Sequence, residues 1–241
     1  MLTLRQIQLV FDAIFFDMNL LIETADGSHT IHSEAFNASY HSTHGSIQET
    51  KTVFIDAGLN YFINNGFEKI NILEIGFGTG LNAFMTYLEA KNKQIDIDYD
   101  SFELYPIGVE TAQKLNYPEL LDAVSDEDNF HALHKNPGST LSIKLCDKRH
   151  LNFNLFIDNF EQHSFNSSYD LIYFDAFAPN IQPQLWQELF LQKMYDALTV
   201  NGILVTYCAQ GAFKRALKNV GFKVEALPGP IGKREMTRAL K

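Results

Sequence analysis

The run LEIGFGTGLN at residues 73–82 joins a short apolar segment to a helical one through three glycines at alternate positions. Glycine allows tight turns, and it lets a ligand approach the backbone where a Cβ would stand in the way. A strand that turns through glycines into a helix is typical of parallel α/β folds, in which ligands bind beyond the carboxyl ends of the strands. We therefore expect a ligand site at the end of this strand.

Apolar strand-like segments alternate with helix-like segments along most of the chain. The strand-like segments are 69–75, 95–103, 141–145, 171–174 and 203–207, and the helix-like segments are 81–90, 109–115, 118–133, 183–198 and 212–219. Segments 222–226 and 235–240 could close the sheet as an antiparallel pair. The alternation predicts a Rossmann-like α/β fold with a mainly parallel sheet and an antiparallel C-terminal strand.

Residues 1–66 precede this alternation and are predicted to form a small N-terminal extension to a core at 67–241. Asp26 and Gly27 lie between two extended runs, which predicts a hairpin, and apolar residues at helical spacing predict a helix over 48–64. The apolar N-terminus contains Asp12 and Asp17 and no small-residue cleavage site, so neither a signal peptide nor a membrane span is predicted. With only two cysteines at unpaired spacing, we expect a reducing, cytoplasmic location.

Charge is unevenly distributed along the 241 residues. The net charge of −10 disfavours general nucleic-acid binding. Residues 202–241, however, contain eight Lys or Arg and two Glu, a balance of +6, which leaves −16 for the rest of the chain. Two interpretations remain open, a nucleic-acid surface and an ordinary solvated set of helix and edge-strand charges, and charge alone favours the second.

The glycine spacing and the acids at the strand ends together indicate a nucleoside cofactor. The GxGxG pattern differs from the GxGxxG of dinucleotide sites and suits an uncharged ribose and a methionine moiety. Glu103, at the end of the second strand, is positioned to accept both ribose hydroxyls, and Asp147, after the third, could accept the adenine amino group. These features predict S-adenosylmethionine. The candidate cofactor residues are Glu74, Gly76, Gly78, Thr79, Gly80, Asn82, Glu103, Asp147 and Asp175.

Asp175 is the candidate catalytic residue, because the buried strand LIYF (171–174) delivers it into the same crevice. Methyl transfer to an amine needs an aligned, unprotonated nitrogen, and a carboxylate could orient the amine and take its proton. Phe177 offers a face for a flat ring. The alternative is that Asp175 only caps the turn before Pro179. His131 and His134 lack the pattern of a metal site, so no metal is expected.

Several of these motifs together resemble the family of tRNA 5-methylaminomethyl-2-thiouridine methyltransferases, which occur alone or as the N-terminal half of bifunctional MnmC-type enzymes. The resemblance rests on DAFAPNIQPQLW (175–186), LEIGFGTGLN (73–82), Tyr40-His41-Ser42 with Gly45 and Glu49, and GKREM (232–236). It extends from about Leu20 to the C-terminus. Since Met18 could serve as a start, we expect residues 1–17 to be dispensable.

The resemblance implies a class I S-adenosylmethionine-dependent methyltransferase fold and methylation of the aminomethyl group of the tRNA wobble uridine. It also implies that the anticodon stem-loop is the partner and that a separate enzyme supplies the aminomethyl group, since this chain is too short for the oxidase domain. The implied substrate-binding residues are Tyr40, Phe177, Pro179, Lys233 and Arg234. Cys146 departs from the family pattern, in which glycine is expected before the adenine-contacting acid, and this weakens the role of Asp147.

Other functions remain open at the level of sequence. The enzyme alternatives are a methyltransferase or aminopropyltransferase that acts on a small amine and, less favoured without GxGxxG, a nicotinamide oxidoreductase. The alternative from another class is a non-catalytic RNA-binding protein on a degenerate methyltransferase fold. The acids Glu74, Glu103 and Asp175 argue against this last alternative.

Overall fold

The computed structural model describes residues 19–135, 140–146, 149–158, 160, 163 and 168–241. Residues 1–17, Met18 and Asp147 lie outside this set, as do the expectations attached to them. A small antiparallel sheet comes first, with strands β1 (Asn19–Glu23), β2 (His29–Ser33) and β3 (Ala38–Ser39). Strands β1 and β2 form the hairpin predicted from Asp26 and Gly27.

The large sheet has eight strands in the order β10-β11-β9-β8-β4-β5-β7-β6. They are β4 (Lys69–Ile75), β5 (Asp96–Phe102), β6 (Thr140–Cys146), β7 (Arg149–Phe156), β8 (Tyr169–Phe174), β9 (Leu198–Thr206), β10 (Lys223–Pro228) and β11 (Glu235–Leu240). The five central strands, from β9 to β7, run parallel, so their carboxyl ends share one edge. This arrangement confirms the Rossmann-like fold, and β11 is the antiparallel C-terminal strand next to β9.

The predicted position of the third parallel strand is wrong. We expected it at 141–145, but β6 is antiparallel to β7, and β7 is the strand that pairs in parallel with β5. The carboxyl end of β6 therefore lies at the edge opposite the glycine loop. In β7, buried Leu151, Phe153 and Leu155 alternate with Asn152 and Asn154. The two asparagine amides donate to Asp98 and Asp100 of β5 at 2.8 and 2.6 Å, so the polar face of β7 is also used within the sheet.

Helices cover both faces of the sheet. They are α1 (Ser46–Thr50), α2 (Asn60–Asn64), α3 (Leu81–Lys93), α4 (Val109–Ala112), α5 (Tyr117–Leu120), α6 (Glu127–Ala132), α7 (Glu188–Ala197) and α8 (Gly211–Asn219), with 3₁₀ turns at Val124–Asp126 and Pro183–Trp186. The single helix expected at 118–133 is interrupted, since Asp122 has a left-handed φ of 52° after α5. The helix expected at 183–198 is also divided, because Gln187 is extended between the 3₁₀ turn and α7.

The N-terminal helical segment is part of the main hydrophobic core. It is continuous over residues 46–64, as the sequence predicts, but winds as a π-helix over Lys51–Leu59. A Cβ on Gly58 would lie 3.1 Å from both Tyr173 and Val205, so this glycine permits close packing on β8 and β9. Val53 and Phe54 are buried in the same cluster as residues of the central strands. Among the described residues, no helix is both long and apolar enough to cross a membrane.

Candidate active site

A cavity of about 640 Å³ opens at the carboxyl edge of the parallel strands. Its wall is formed by the glycine loop after β4, the turn after β5, the segment after β8, the segment from β3 to α1 and the loop between β10 and β11. The candidate residues that line it are Tyr40, Gly76, Gly78, Glu103, Asp175, Phe177 and Lys233. The fold therefore brings together residues from both ends of the chain at the edge where ligands are expected.

The glycine loop has the backbone geometry that its sequence predicts. Gly76, Gly78 and Gly80 have φ angles of 95°, 53° and 75°. A Cβ on Gly76 would lie 2.5 Å from the Asp175 carbonyl oxygen, and one on Gly78 would lie 2.9 Å from the Tyr40 ring. The loop can therefore pass between the end of β8 and the aromatic wall only because it carries no side chains at these positions.

Glu103 is fixed at the end of β5 with its carboxylate on the cavity. One oxygen, Oε2, accepts the Gly78 N–H at 3.0 Å, and the other, Oε1, accepts the Tyr105 N–H at 2.9 Å. Burial raises the pKa of Glu103, whereas these backbone hydrogen bonds lower it. The carboxylate borders the cavity, where its oxygens can also accept hydroxyl groups of a ligand.

Glu74, Thr79, Gly80 and Asn82 lie behind the cavity wall. All four are buried, and the Glu74 carboxylate accepts hydrogen bonds from Ser101 (2.6 Å) and Asn82 (3.1 Å). Burial raises the pKa of Glu74 to about 7. Thr79 bonds to His41 at 2.7 Å, and burial lowers the pKa of this imidazole to about 4. These four residues support the loop from behind, and their direct contact with the cofactor stays a prediction.

Asn82 connects the support network to Asp175. Its amide oxygen accepts the Thr50 hydroxyl at 2.9 Å, so its NH₂ group is left to donate to Glu74 and, at 2.8 Å, to Asp175 Oδ2. Asp175 Oδ1 makes no hydrogen bond within the described part of the chain. Burial, followed by the negative charge of Glu49, holds the pKa of Asp175 well above its ordinary value. Such a carboxyl group can both orient an amine and accept its proton.

The segment after Asp175 is held in place by two aromatic side chains. Trp186 Nε1 donates to the Phe177 carbonyl at 2.9 Å, and the Tyr207 hydroxyl donates to the Ala176 carbonyl at 2.8 Å. The Phe177 ring contacts Phe36 and Tyr40, with centroids 4.9 and 5.2 Å apart. These rings give the cavity an aromatic wall suited to a flat heterocycle. Phe36 and Tyr207 were not identified from the sequence, because no local pattern distinguishes them from core aromatics.

Lys233 and Arg234 have different surroundings although they are adjacent. The Lys233 ammonium lies in the cavity wall, where it pairs with Glu49 and sits 4.1 Å from the centroid of the Tyr207 ring. Lys233 is therefore not a free surface cation. Arg234 is exposed and lines, with Pro179, a second depression that shares Ala178, Tyr207 and Lys233 with the main cavity.

The strand before Asp147 is not the parallel neighbour of β5. The expectation for Asp147 assumed a parallel strand before it, and this premise is wrong because β6 is antiparallel. The parallel neighbour of β5 is β7, and Asp158, two residues after the end of β7, lines the cavity. Asp158 could have been found from the sequence only if the alternating apolar residues of 149–156 had been read as a strand.

The arrangement fits a nucleoside-containing methyl donor. The glycines at 76 and 78 let the loop pack against Asp175 and Tyr40, and the cavity beside this loop is bordered by the Glu103 carboxylate, which can accept paired ribose hydroxyls. Within the described residues, no group of three or more His, Cys, Asp or Glu side chains is arranged to hold a metal ion.

Comparisons with known proteins agree with this geometry. A family model for S-adenosyl-L-methionine-dependent methyltransferases matches residues 124–241. The tRNA 5-methylaminomethyl-2-thiouridine biosynthesis bifunctional protein MnmC of Leptospira interrogans is 31% identical over 219 residues, covering 85% of this chain and 32% of that protein. The MnmC protein of Aromatoleum aromaticum is 30% identical over 220 residues, with 86% and 33% covered. This chain thus spans about a third of the length of these curated relatives.

A solved structure shows the same fold. The crystal structure of MNMC2 from Aquifex aeolicus superimposes with a TM-score of 0.72 at 21% identity, and the match covers 99% of this chain and 77% of that one. The glycine loop, the acid after β5 and the matched C-terminal half lead to one assignment. The chain is a methyltransferase with S-adenosylmethionine as its cofactor, as the family model over its C-terminal half and the MnmC relatives indicate.

Proposed function

We propose that this enzyme methylates the aminomethyl nitrogen of 5-aminomethyl-(2-thio)uridine at the tRNA wobble position, giving 5-methylaminomethyl-2-thiouridine. The observation that carries the proposal is the Asp175 carboxylate, which lies in the cavity wall directly beside the glycine loop. The names of the MnmC relatives support the choice of a tRNA substrate. The proposal includes the anticodon stem-loop as partner, a separate enzyme that makes the aminomethyl group, and a cytoplasmic location.

Different residues bind the cofactor, orient the substrate amine and stack on the uracil ring. Glu103 binds the ribose of the cofactor, and Asp158 is positioned for its adenine. When bound, S-adenosylmethionine supplies the electrophilic methyl group. Asp175 accepts an N–H of the substrate amine, takes the proton that the amine must lose, and holds the nitrogen lone pair towards the methyl group. The aromatic wall at Tyr40 and Phe177 stacks the uracil ring.

A direct test uses the purified chain, S-adenosylmethionine and two tRNA preparations. One carries 5-aminomethyl-2-thiouridine at the wobble position, and the other is the same tRNA without the aminomethyl group. Nucleoside mass spectrometry should detect one added methyl group in the first preparation and none in the second. Methylation of small amines without methylation of either tRNA would contradict the proposal and favour a small-molecule methyltransferase.

The RNA surface that we propose begins at the second depression. Gln210, which lines that depression, precedes α8, a helix without acidic residues. Arg215 and Lys218 are exposed on α8, and Arg234 is exposed at the rim. These three side chains, here called the basic row, have no salt-bridge partner among the described residues, unlike Lys214, which pairs with Glu235 at 2.8 Å. Exposed cations of this kind bind phosphates and fix the position of the RNA without reading its sequence.

We predict that replacing Arg215, Lys218 and Arg234 with Ala weakens tRNA binding and lowers its salt dependence. Each lost phosphate contact should reduce the slope of log K against log salt by about 0.7–0.9, so the triple variant should lose about 2.1–2.7. Filter binding over a salt series measures the slope. Lys69→Ala with Lys93→Ala is the matched control, because Lys69 begins β4 at the opposite edge of the sheet. An unchanged slope in the triple variant would place the RNA elsewhere.

A further inference from the structure

A partly buried ion pair forms part of the cavity wall and has no role in the mechanism described so far. Glu49 of α1 is only 5% exposed, and its Oε2 accepts the Ser42 N–H at 2.8 Å. Its Oε1 accepts the Lys233 ammonium. Both side chains line the same cavity as Asp175. Around Lys233, the cavity wall therefore contains two carboxylates, Glu49 and Asp175, and one ammonium group; Glu103 and Asp158 line the same cavity from the ends of β5 and β7.

The position of Lys233 is fixed from several directions. Its ammonium lies over the Tyr207 ring, and its backbone N–H closes a turn on the Pro230 carbonyl at 2.9 Å. The neighbouring Ile231 N–H donates to the Gln48 side chain at 3.1 Å. The loop between β10 and β11 is thus attached to α1, so the ammonium stays on Glu49 rather than moving into solvent.

The charge balance of this wall determines how an amine binds there. The titratable and charged groups around Lys233 are Glu49 from α1, His41 and His44 from the preceding segment, Asp175 after β8, Tyr207 and Cys208 after β9, and Arg234 and Glu235 beside it. Of these, Glu49 and Asp175 are the carboxylates in the cavity wall. An unpaired carboxylate near a bound amine favours the ammonium form, whose nitrogen has no free lone pair.

We infer that Lys233 is a positioning residue that neutralises Glu49, so that Glu49 does not hold the substrate amine in its protonated, unreactive form. The amine then meets one uncompensated carboxylate, Asp175, which can take its proton. This inference rests on the proposed function, because it requires an amine substrate. It gives the Glu49–Lys233 pair a role in reactivity in addition to the attachment of the C-terminal loop to α1.

The test is the pH dependence of single-turnover methylation of tRNA that carries the aminomethyl group. Lys233→Met leaves Glu49 unpaired, so the apparent pKa of the rate should rise by about one to two pH units. The rate should approach its plateau only at higher pH. The double variant Glu49→Gln/Lys233→Met removes both charges and should return the apparent pKa towards the wild-type value. Lys233→Arg retains the charge and should keep the position of the profile, whatever its maximal rate.

Lys91→Met is the matched control. Lys91 also pairs with a mostly buried carboxylate, Asp126, and lies near a tyrosine ring, Tyr87, but none of these residues lines the cavity. The Lys91→Met variant should leave the apparent pKa of the methylation rate unchanged. If Lys233→Met does not fold, Glu49→Gln with Lys233 intact provides the reverse test and should lower the apparent pKa.

Each remaining outcome overturns the inference in a recognisable way. If Lys233→Met has the pH–rate profile of the wild type, Lys233 does not neutralise Glu49 in the way proposed. The same conclusion follows from a wild-type pH–rate profile in Glu49→Gln, where that variant replaces Lys233→Met. An equal upward shift in the single and double variants means that Lys233 acts on the substrate directly. A wild-type protein that methylates no tRNA at any pH refutes the proposed function, and the inference fails with it.

Discussion

Asp175→Asn should lower the single-turnover rate of methylation by about 10²–10⁴-fold, because general-base contributions are of this size. The asparagine keeps the size of the side chain and can still accept the Asn82 amide through its oxygen. It loses the charge that attracts a protonated amine and the ability to take a proton. The wild-type rate should rise with pH until the bound amine is neutral. Rapid-quench assays with radiolabelled S-adenosylmethionine across this pH range measure both effects.

Stability distinguishes a chemical defect from an unfolded variant. Burial holds the pKa of Asp175 well above its ordinary value. When a carboxyl group has a higher pKa in the folded than in the unfolded protein, the free energy of unfolding falls as pH rises from the unfolded to the folded pKa. Asparagine does not ionise, so Asp175→Asn does not lose free energy of unfolding in this way. The variant should be at least as stable as wild type at pH 8, and the difference in stability should shrink as pH falls. Calorimetric S-adenosylmethionine affinity should change little. A wild-type methylation rate in a folded Asp175→Asn variant would show that Asp175 only caps the turn before Pro179 and has no catalytic role.

Local sequence signals predicted the glycine loop, Glu103 and Asp175 because each depends on a few adjacent residues. The glycines at 76, 78 and 80 can adopt the required φ angles, and the apolar LIYF run places Asp175 at the end of a buried strand. These residues can be predicted without knowledge of the tertiary structure, because the carboxyl ends of parallel strands always lie at the same edge of a sheet.

The direction of a strand and the pairing of distant residues are not local properties. Segments 140–146 and 149–156 both have apolar residues at alternate positions, and only the sheet pairing decides which of them runs parallel to β5. The Lys233–Glu49 pair joins residues separated by 184 positions. From the sequence, Lys233 was indistinguishable from Arg234, although one is in the cavity wall and the other is exposed. Packing, rather than residue type, separates their roles.

Glu103→Ala should weaken S-adenosylmethionine binding by about 2–5 kcal/mol, which is about 30-fold or more in Kd. The reason is that the alanine variant removes the acceptor for the ribose hydroxyls, whose donors are then left without their partner in the cavity. Isothermal titration calorimetry with S-adenosylmethionine and S-adenosylhomocysteine should show the same loss for both ligands, because both carry the same ribose.

Two further variants separate ribose binding from the shape of the loop. Glu103 also accepts the N–H groups of Gly78 and Tyr105, so its removal could disturb the glycine loop. Glu103→Gln keeps one acceptor oxygen for these contacts and should therefore fall between wild type and Glu103→Ala in affinity. Glu110→Ala, in the exposed first turn of α4, is the control for loss of a nearby carboxylate and should bind normally. An unchanged Kd in a folded Glu103→Ala variant would show that the ribose lies elsewhere, since alanine has no side-chain acceptor for its hydroxyl groups.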